Sequence, residues 1–215
     1  MINTLAVWDI DGTLADDALK EVIGSDAYYA PKVLRSLPPI VHTVDQARKL
    51  GEAKGVHLVV VTGRIAERDN GATEAWLDNH NIKHDEIMLR PESVPHNLVA
   101  EWKRKSLQRY LKMNFMPKKG EKFDPADGLK TVLVWEDTVA NLIEFKTLLE
   151  PVGWNYTLFQ VKGKPNGHRV DVWHRKNKRR TKHFNPVENE IEHEVINMED
   201  VGSMNTFFED GGNMV

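Results

Sequence analysis

Asp9 and Asp11 stand either side of Ile10, directly after a run of strand-forming apolar residues in the stretch LAVWDIDGTL (residues 5–14). A carboxylate that follows a buried strand must give up water, which is costly unless the charge is paired or bound to a metal. The placement therefore favours a metal or phosphate site. A plain turn stabilised by Asp side chains is the simpler alternative.

Three further polar clusters could complete such a site. VVVTGR (residues 59–64) ends a second apolar run with Thr62, Gly63 and Arg64, and VLVWED (residues 132–137) ends another with Glu136 and Asp137. Between them, EWKRKSL (residues 101–107) offers a group of cations. Hydroxyl, guanidinium, ammonium and carboxylate groups together are typical of phosphoryl transfer, which needs a nucleophile, an acid and stabilising cations.

The elements that position these clusters alternate between strand and helix. Short apolar runs predict strands at residues 4–9, 56–64, 85–91, 130–137 and 155–161, and helical spacing predicts helices at 41–55, 71–82, 96–113 and 138–150. This alternation is typical of an α/β fold, a Rossmann-like three-layer sandwich with a mostly parallel central sheet. Ligands bind such sheets at the carboxyl ends of the strands, so one edge collects all the polar clusters.

Helical phase separates the candidate cations of the third helix. Lys103 lies one turn before Leu107, on the apolar stripe that faces the sheet, whereas Lys105 lies with Arg109 and Lys112 on a polar face. Lys103 is therefore the expected site residue. A lysine that only snorkels from a half-buried helix is the alternative.

The four motifs DIDGTL, VTGR, EWKRKSL and VWEDTVANL, in this order, resemble those of the haloacid dehalogenase (HAD) superfamily of aspartate-nucleophile phosphotransferases. The resemblance spans residues 4 to about 161. It implies that Asp9 is the nucleophile, that Asp11 is the general acid and base, and that Thr62 and Lys103 contact the phosphoryl group. Gly63 and Arg64 are implied to bind substrate.

The resemblance also implies a Mg²⁺ site formed by Asp9, the backbone carbonyl of Asp11 and an acid of the last motif. Asp137 is the favoured ligand, with Glu136 as a further ligand or its partner. Many HAD proteins have two Asp here or a spaced GDxxxD, so the division between Glu136 and Asp137 stays open. Oxygen ligands of this kind suit Mg²⁺.

The gaps between the motifs leave room for a minimal cap domain at most. Fifty residues separate Asp11 from Thr62, and the predicted elements leave about 25–30 of them for an insert. Forty residues separate Thr62 from Lys103, and these are mostly used by one helix and one strand. An open site of this kind admits the end of a polymer more readily than it encloses a small metabolite.

Within the superfamily, the chain looks most like the phosphatase domain of phage-type polynucleotide kinases and related RNA-repair proteins. The features that carry this resemblance are TGR after strand two, RP after strand three and the paired acids after strand four. This implies removal of 3′-phosphates from DNA or RNA ends. Two alternatives stay open, a phosphatase of nucleotides or other small phosphoesters, and a non-enzymatic protein that binds nucleic acid or a partner on a HAD scaffold.

The composition of the chain limits the class of protein to which these hypotheses can apply. The 215 residues carry a net charge of −3, contain no cysteine and show no apolar run near the roughly 20 residues of a membrane span. The N-terminus shows no signal-peptide pattern, and a cytoplasmic protein with no membrane contact is expected. We predict a phosphatase domain at 1–164, a hairpin and basic segment at 165–183, which could contact nucleic acid, and a flexible acidic tail at 184–215.

Overall fold

The computed structural model describes residues 2–116, 128–152, 154–164, 167–175 and 192–197. Within these ranges, seven strands form one sheet in the order β3-β2-β1-β4-β5-β6-β7. The strands are β1 (Thr4–Trp8), β2 (Val56–Ile65), β3 (Glu86–Arg90), β4 (Thr131–Glu136), β5 (Asn155–Lys164), β6 (Gly167–Arg175) and β7 (Glu192–Asn197).

The first five strands are all parallel, as the sequence predicted, and β6 and β7 add to the β5 edge in antiparallel pairing. Residues 165 and 166, which connect β5 to β6, lie outside the described residues. β1 is central, and its alternate residues serve two cores: Ala6 and Trp8 pack on one face of the sheet, Leu5 and Val7 on the other. A strand buried on both faces is typical of a parallel sheet covered by helices.

Helices cover both faces of the sheet. They are α1 (Leu19–Ile23), α2 (Ser25–Tyr28), α3 (Pro31–Ser36), α4 (Val41–Glu52), α5 (Ala66–Asn79), α6 (Val99–Asn114) and α7 (Val139–Leu149), with short 3-10 turns at His96–Leu98 and Glu150–Val152. Apolar residues of α4 and α5 pack in the core that contains Trp8, and those of α6 and α7 pack in the core that contains Val7. The three-layer sandwich is confirmed. No helix among the described residues is long and apolar enough to span a bilayer.

The main differences from the predicted elements lie between β1 and α5. The residues left as an insert hold the three short helices α1, α2 and α3, which we call the α1–α3 insert (residues 19–36). Helix α5 begins at Ala66, five residues before the predicted start. Asp69 accepts a hydrogen bond from the backbone nitrogen of Ile65, the residue before the helix, at 2.8 Å. This bond supports the first turn, in which the charged sequence AERDN shows no apolar helical spacing.

Within the segment predicted as an acidic tail, the structure describes β7, which pairs with β6. The remainder of 184–215, and residues 176–183 of the basic segment, lie outside the described residues. The predicted domain boundaries therefore stay predictions.

Candidate active site

Polar residues singled out by sequence lie in two sets of contacts at the carboxyl ends of the strands, one around Asp9 and one around Asp11. Trp8, the last residue of β1, pairs in register with Trp135, and β4 runs one residue further, to Glu136. The backbone nitrogen of Asp9 donates to the Trp135 carbonyl at 3.0 Å, which carries the pairing one step beyond β1. This pairing places Asp9 beside Glu136.

Lys103 joins the two acids. Its Nζ lies 2.9 Å from Oδ1 of Asp9 and 2.7 Å from Oε2 of Glu136, and all three side chains are buried. Lys105, the alternative candidate, is exposed and pairs with Glu101 on its own helix at 2.5 Å. The structure thus places Lys103, and not Lys105, among the site carboxylates.

The buried carboxyls are short of positive charge. Burial, followed by the charge of Glu136, raises the pKa of Asp9 to about 7, although Lys103 opposes this shift. Burial likewise raises the pKa of Glu136 to about 7. The pKa of Lys103 is raised as well, because the charges of Asp9 and Glu136 outweigh the effect of its burial. One ammonium cannot balance this group of acids.

A cation could supply the missing charge. One carboxylate oxygen from each of Asp9, Glu136 and Asp137 lies within 4.8 Å of the others. Oxygen donors at such spacing fit a hard divalent cation. Burial also raises the pKa of Asp137, and the charge of Asp9 acts in the same direction, although a hydrogen bond with Glu136 and the charge of Lys103 oppose the shift.

Glu136, at the end of β4, and Asp137, directly after it, differ in their partners. Glu136 uses both oxygens, because Oε2 contacts Lys103 and Oε1 accepts from the backbone nitrogen of Thr138 at 3.2 Å. Asp137 is partly exposed, and its backbone carbonyl is held by Gln160 at 3.2 Å. Asp137 therefore has the carboxylate better placed to take a further ligand.

Gly12 gives Asp137 its space. A Cβ at position 12 would lie 2.8 Å from Oδ2 of Asp137, and the backbone there has a φ of +80°. Both conditions call for glycine, since other residues rarely adopt this φ. The DxDGT turn and the last motif are therefore built against each other.

Asp11 lies in a different set of contacts. Arg64 donates to both of its oxygens, from Nε at 3.0 Å and from Nη2 at 2.7 Å. The Tyr28 hydroxyl of the α1–α3 insert donates to Oδ1 at 2.9 Å. Arg64 is only 1% exposed. The structure thus gives Arg64 a partner that the sequence did not predict, and its contact with substrate stays a prediction.

Thr62 and Gly63 lie in the last part of β2, just before Arg64, where the pairing with β3 shifts register between Thr62 and Ile65. Thr62 is fully buried, and its Oγ1 accepts from the backbone nitrogen of Arg64 at 3.3 Å. A Cβ on Gly63 would lie 3.3 Å from Val99, and the Gly63 carbonyl accepts from Nε of Arg90 at 3.0 Å. Contacts from Val99 and Arg90 therefore hold this end of β2.

Sequence reasoning missed the side chains that support Asp11 and the end of β2. Arg90 was noted only as part of the Arg-Pro pair that the family resemblance picks out. Tyr28 was not noted at all, because no periodicity in residues 19–36 predicted the path of the insert. A long-range contact such as Tyr28 to Asp11 depends on that path.

No family model and no curated protein match the chain. Among solved structures, it is similar to a chain of a Pnkp1/Rnl/Hen1 complex, with 18% identity and a TM-score of 0.47, over 74% of this chain and 46% of that one. A second structure, of the Pnkp1/Rnl/Hen1 RNA repair complex, matches with 18% identity and a TM-score of 0.47 over 68% and 40%. The chain thus spans less than half the length of these chains. Likeness at this level identifies neither a family nor an activity.

Proposed function

We propose that this chain is a Mg²⁺-dependent phosphatase of HAD type that forms a phosphoryl intermediate on Asp9. The observation that carries the proposal is the contact between Asp9 and Lys103 within a cluster of three carboxylates. A buried carboxylate beside an ammonium, at the ligand-binding edge of a parallel sheet, is suited to nucleophilic attack on phosphorus.

In the first step, Asp9 attacks the phosphorus of a phosphomonoester, and the bond from phosphorus to the leaving oxygen breaks. Lys103 holds Oδ1, so Oδ2 is the oxygen that we expect to attack. Asp11 gives its proton to the leaving oxygen as general acid. In the second step a water attacks the phosphorus of the aspartyl-phosphate, Asp11 takes the proton from that water, and inorganic phosphate leaves.

Arg64 and Tyr28 act on the reaction through Asp11. The two-point contact from Arg64 and the hydroxyl of Tyr28 hold the Asp11 carboxyl in one orientation. Because the Asp11 carboxyl is already oriented, less conformational freedom has to be lost when it donates or accepts the proton in the transition state. Thr62 and the Gly63 backbone are proposed to face the phosphoryl oxygens, with the Gly63 carbonyl held by Arg90.

Asp9 and Asp137 would hold Mg²⁺, with the backbone carbonyl of Asp11 as a further ligand and Glu136 as a ligand or as the partner that orients Lys103. When bound, the ion supplies positive charge against the oxygens of the phosphoryl group. It also neutralises the excess of carboxylates at Asp9, Glu136 and Asp137.

The substrate class that we propose is the 3′-phosphorylated end of DNA or RNA. The motifs resemble those of phosphatases that act on such ends, and the α1–α3 insert is small for a domain that must enclose a metabolite. The basic residues at 175–182 favour a polyanionic substrate by charge.

The test is release of phosphate from 3′-phosphorylated oligonucleotides, 5′-phosphorylated oligonucleotides, mononucleotides and phosphopeptides, with Mg²⁺ or with EDTA. We expect Mg²⁺-dependent release, fastest from 3′-phosphorylated oligonucleotides and slowed by salt. Equal, salt-insensitive turnover of mononucleotides would favour a small-phosphoester phosphatase. If no substrate is turned over, the result would favour a non-enzymatic protein that binds nucleic acid or a partner on a HAD scaffold.

A further inference from the structure

The phenol of Tyr29 and the ammonium of Lys20 lie near enough to Asp11 to feel its charge, and they have no part in the steps above. Lys20 of α1 donates from Nζ to the Tyr29 hydroxyl at 3.2 Å. The same Nζ lies 5.1 Å from the centre of the Tyr29 ring, and the guanidinium carbon of Arg68 lies 5.4 Å from it. We call Lys20, Tyr29 and Arg68 the rim cluster.

The rim cluster connects to Asp11, the proposed general acid, through Tyr28. The Tyr29 ring stands edge-on to the ring of Tyr28, with centres 5.0 Å apart, and the Tyr28 hydroxyl donates to Asp11. Nζ of Lys20 lies 5.8 Å from the centre of the Tyr28 ring. An anion bound at the rim cluster would therefore lie beside the place where the leaving group takes its proton.

The two cations of this cluster differ in whether they pair with a carboxylate. Among the residues that the structure describes, no carboxylate oxygen lies within 4.0 Å of Nζ of Lys20. Arg68, in contrast, is paired with Asp69 at 2.6 Å and packs against Tyr29, so it positions the ring. The half-buried ammonium of Lys20 and the phenol of Tyr29 make a pair of donors open to an anion.

Both donors keep their protons at neutral pH. Burial and the charge of Asp11 raise the pKa of Tyr29. The pKa of Lys20 is also raised: burial acts to lower it, but the contact with Tyr29 and the charge of Asp11 outweigh that effect. The nearby acids Asp11 and Asp17 set the local field and keep Lys20 cationic.

We propose that Lys20 and Tyr29 bind the internucleotide phosphodiester next to the terminal phosphomonoester, and that this contact selects chain ends over free mononucleotides. This inference rests on the proposed phosphatase function and names the feature of the substrate that the site reads. A phosphodiester keeps its negative charge at any working pH. A mononucleoside 3′-phosphate contains no phosphodiester and so cannot make this contact. The contact carries no base sequence information.

The kinetic test compares a 3′-phosphorylated dinucleotide, which has one phosphodiester, with a mononucleoside 3′-phosphate of the same terminal base. We expect Lys20→Met to lower the ratio of kcat/KM for the dinucleotide to that for the mononucleotide about tenfold, as loss of one charge-assisted hydrogen bond implies. Lys20→Arg should restore most of the ratio, and Tyr29→Phe should lower it less. Lys32→Met, at an exposed lysine of the same insert, is the matched control and should leave the ratio unchanged.

A binding test keeps the two proposals separate. A fluorescent 3′-phosphorylated oligonucleotide is titrated with Asp9→Asn protein, with and without Lys20→Met, at several salt concentrations. We expect Lys20→Met to weaken binding and to reduce the slope of log affinity against log salt by about one.

The outcomes separate as follows. Equal losses of kcat/KM on the two substrates, or no loss on either, overturn the phosphodiester contact and leave the phosphatase intact. If the unaltered protein hydrolyses none of the substrates, the phosphatase proposal is wrong. The binding test then decides by itself whether Lys20 contacts the phosphodiester. A weaker affinity with a lower salt slope then supports the contact, and an unchanged slope overturns it.

Discussion

The ammonium of Lys103 lies 2.9 Å from Oδ1 of Asp9, with both side chains almost fully withdrawn from solvent. The contact joins the residue that follows β1 to the second turn of α6, 94 positions further along the chain. Lys103 also reaches Glu136, so it is the one cation placed within 4 Å of two buried acids in the part of the chain that the structure describes.

Replacing this cation should harm both activity and stability. Lys103→Met leaves Asp9 and Glu136 buried without their shared partner, and loss of one member of a buried ion pair costs about 3–5 kcal/mol. We expect a lower free energy of unfolding in urea and a fall of about 100-fold or more in kcat.

Lys105→Met is the matched control for that variant. Lys105 is exposed and pairs with Glu101 one turn away, so its loss should cost at most about 0.5 kcal/mol and leave kcat unchanged. Similar losses in the two variants would contradict the role given to Lys103.

Stability of the metal-free protein should fall as pH rises. The pKa of Asp9 is about 7 in the folded chain and near 3.8 when unfolded, so the native state binds more protons between these values. The free energy of unfolding therefore decreases through this window, and Glu136 adds to the same trend. Urea denaturation in EDTA at about pH 5.5 and about pH 7.5 measures the difference.

Asp9→Asn removes one of the groups that titrate. Its free energy of unfolding should change less between the two pH values than that of the unaltered protein. An equal or larger change in the variant would show that burial of Asp9 is not the cause.

Mg²⁺ should stabilise the protein through the carboxylate cluster. Because the ion binds the native state, it should raise the melting temperature, and more at pH above 7, where Asp9 and Glu136 are ionised. Asp137→Asn should reduce this rise. Asp26→Asn, at an exposed acid of α2, should leave it intact. A rise that survives Asp137→Asn unchanged would place the ion elsewhere.

Arg64 should not tolerate replacement by lysine. The guanidinium donates to both oxygens of Asp11, and a lysine ammonium cannot reproduce this two-point contact. We expect Arg64→Lys to lower kcat about tenfold or more with less effect on KM, because Asp11 loses its orientation.

Arg104→Lys is the control, since Arg104 pairs with Glu144 away from the site carboxylates. Tyr28→Phe tests the third contact to Asp11 and should lower kcat less than Arg64→Lys. If Arg64→Lys raises KM alone, Arg64 contacts the substrate, as the family resemblance implies.

Much of the fold could be predicted because its signals are local. The apolar run before Asp9 and the spacing of Lys103, Leu107 and Leu111 report strand and helix directly, and parallel topology then brings the strand ends together. For the same reason Asp9, Lys103 and Glu136 could be expected at one edge.

The α1–α3 insert could not be predicted in this way. Its helices are four to six residues long, too short for a periodic signal, and Tyr28 and Tyr29 gain their surroundings only from the path of the chain over Asp11. The partner of Arg64 was missed for a related reason, since a sequence motif gives the residue but not the direction of a long side chain.

The most direct test of the account is the mass of the protein after brief reaction with a 3′-phosphorylated oligonucleotide and Mg²⁺, stopped in acid. We predict a species heavier by one phosphoryl group, with fragmentation placing the addition on Asp9 and no such species in Asp9→Asn. Phosphate release at an undiminished rate by Asp9→Asn, or a phosphoryl group found on another residue, would contradict the central claim.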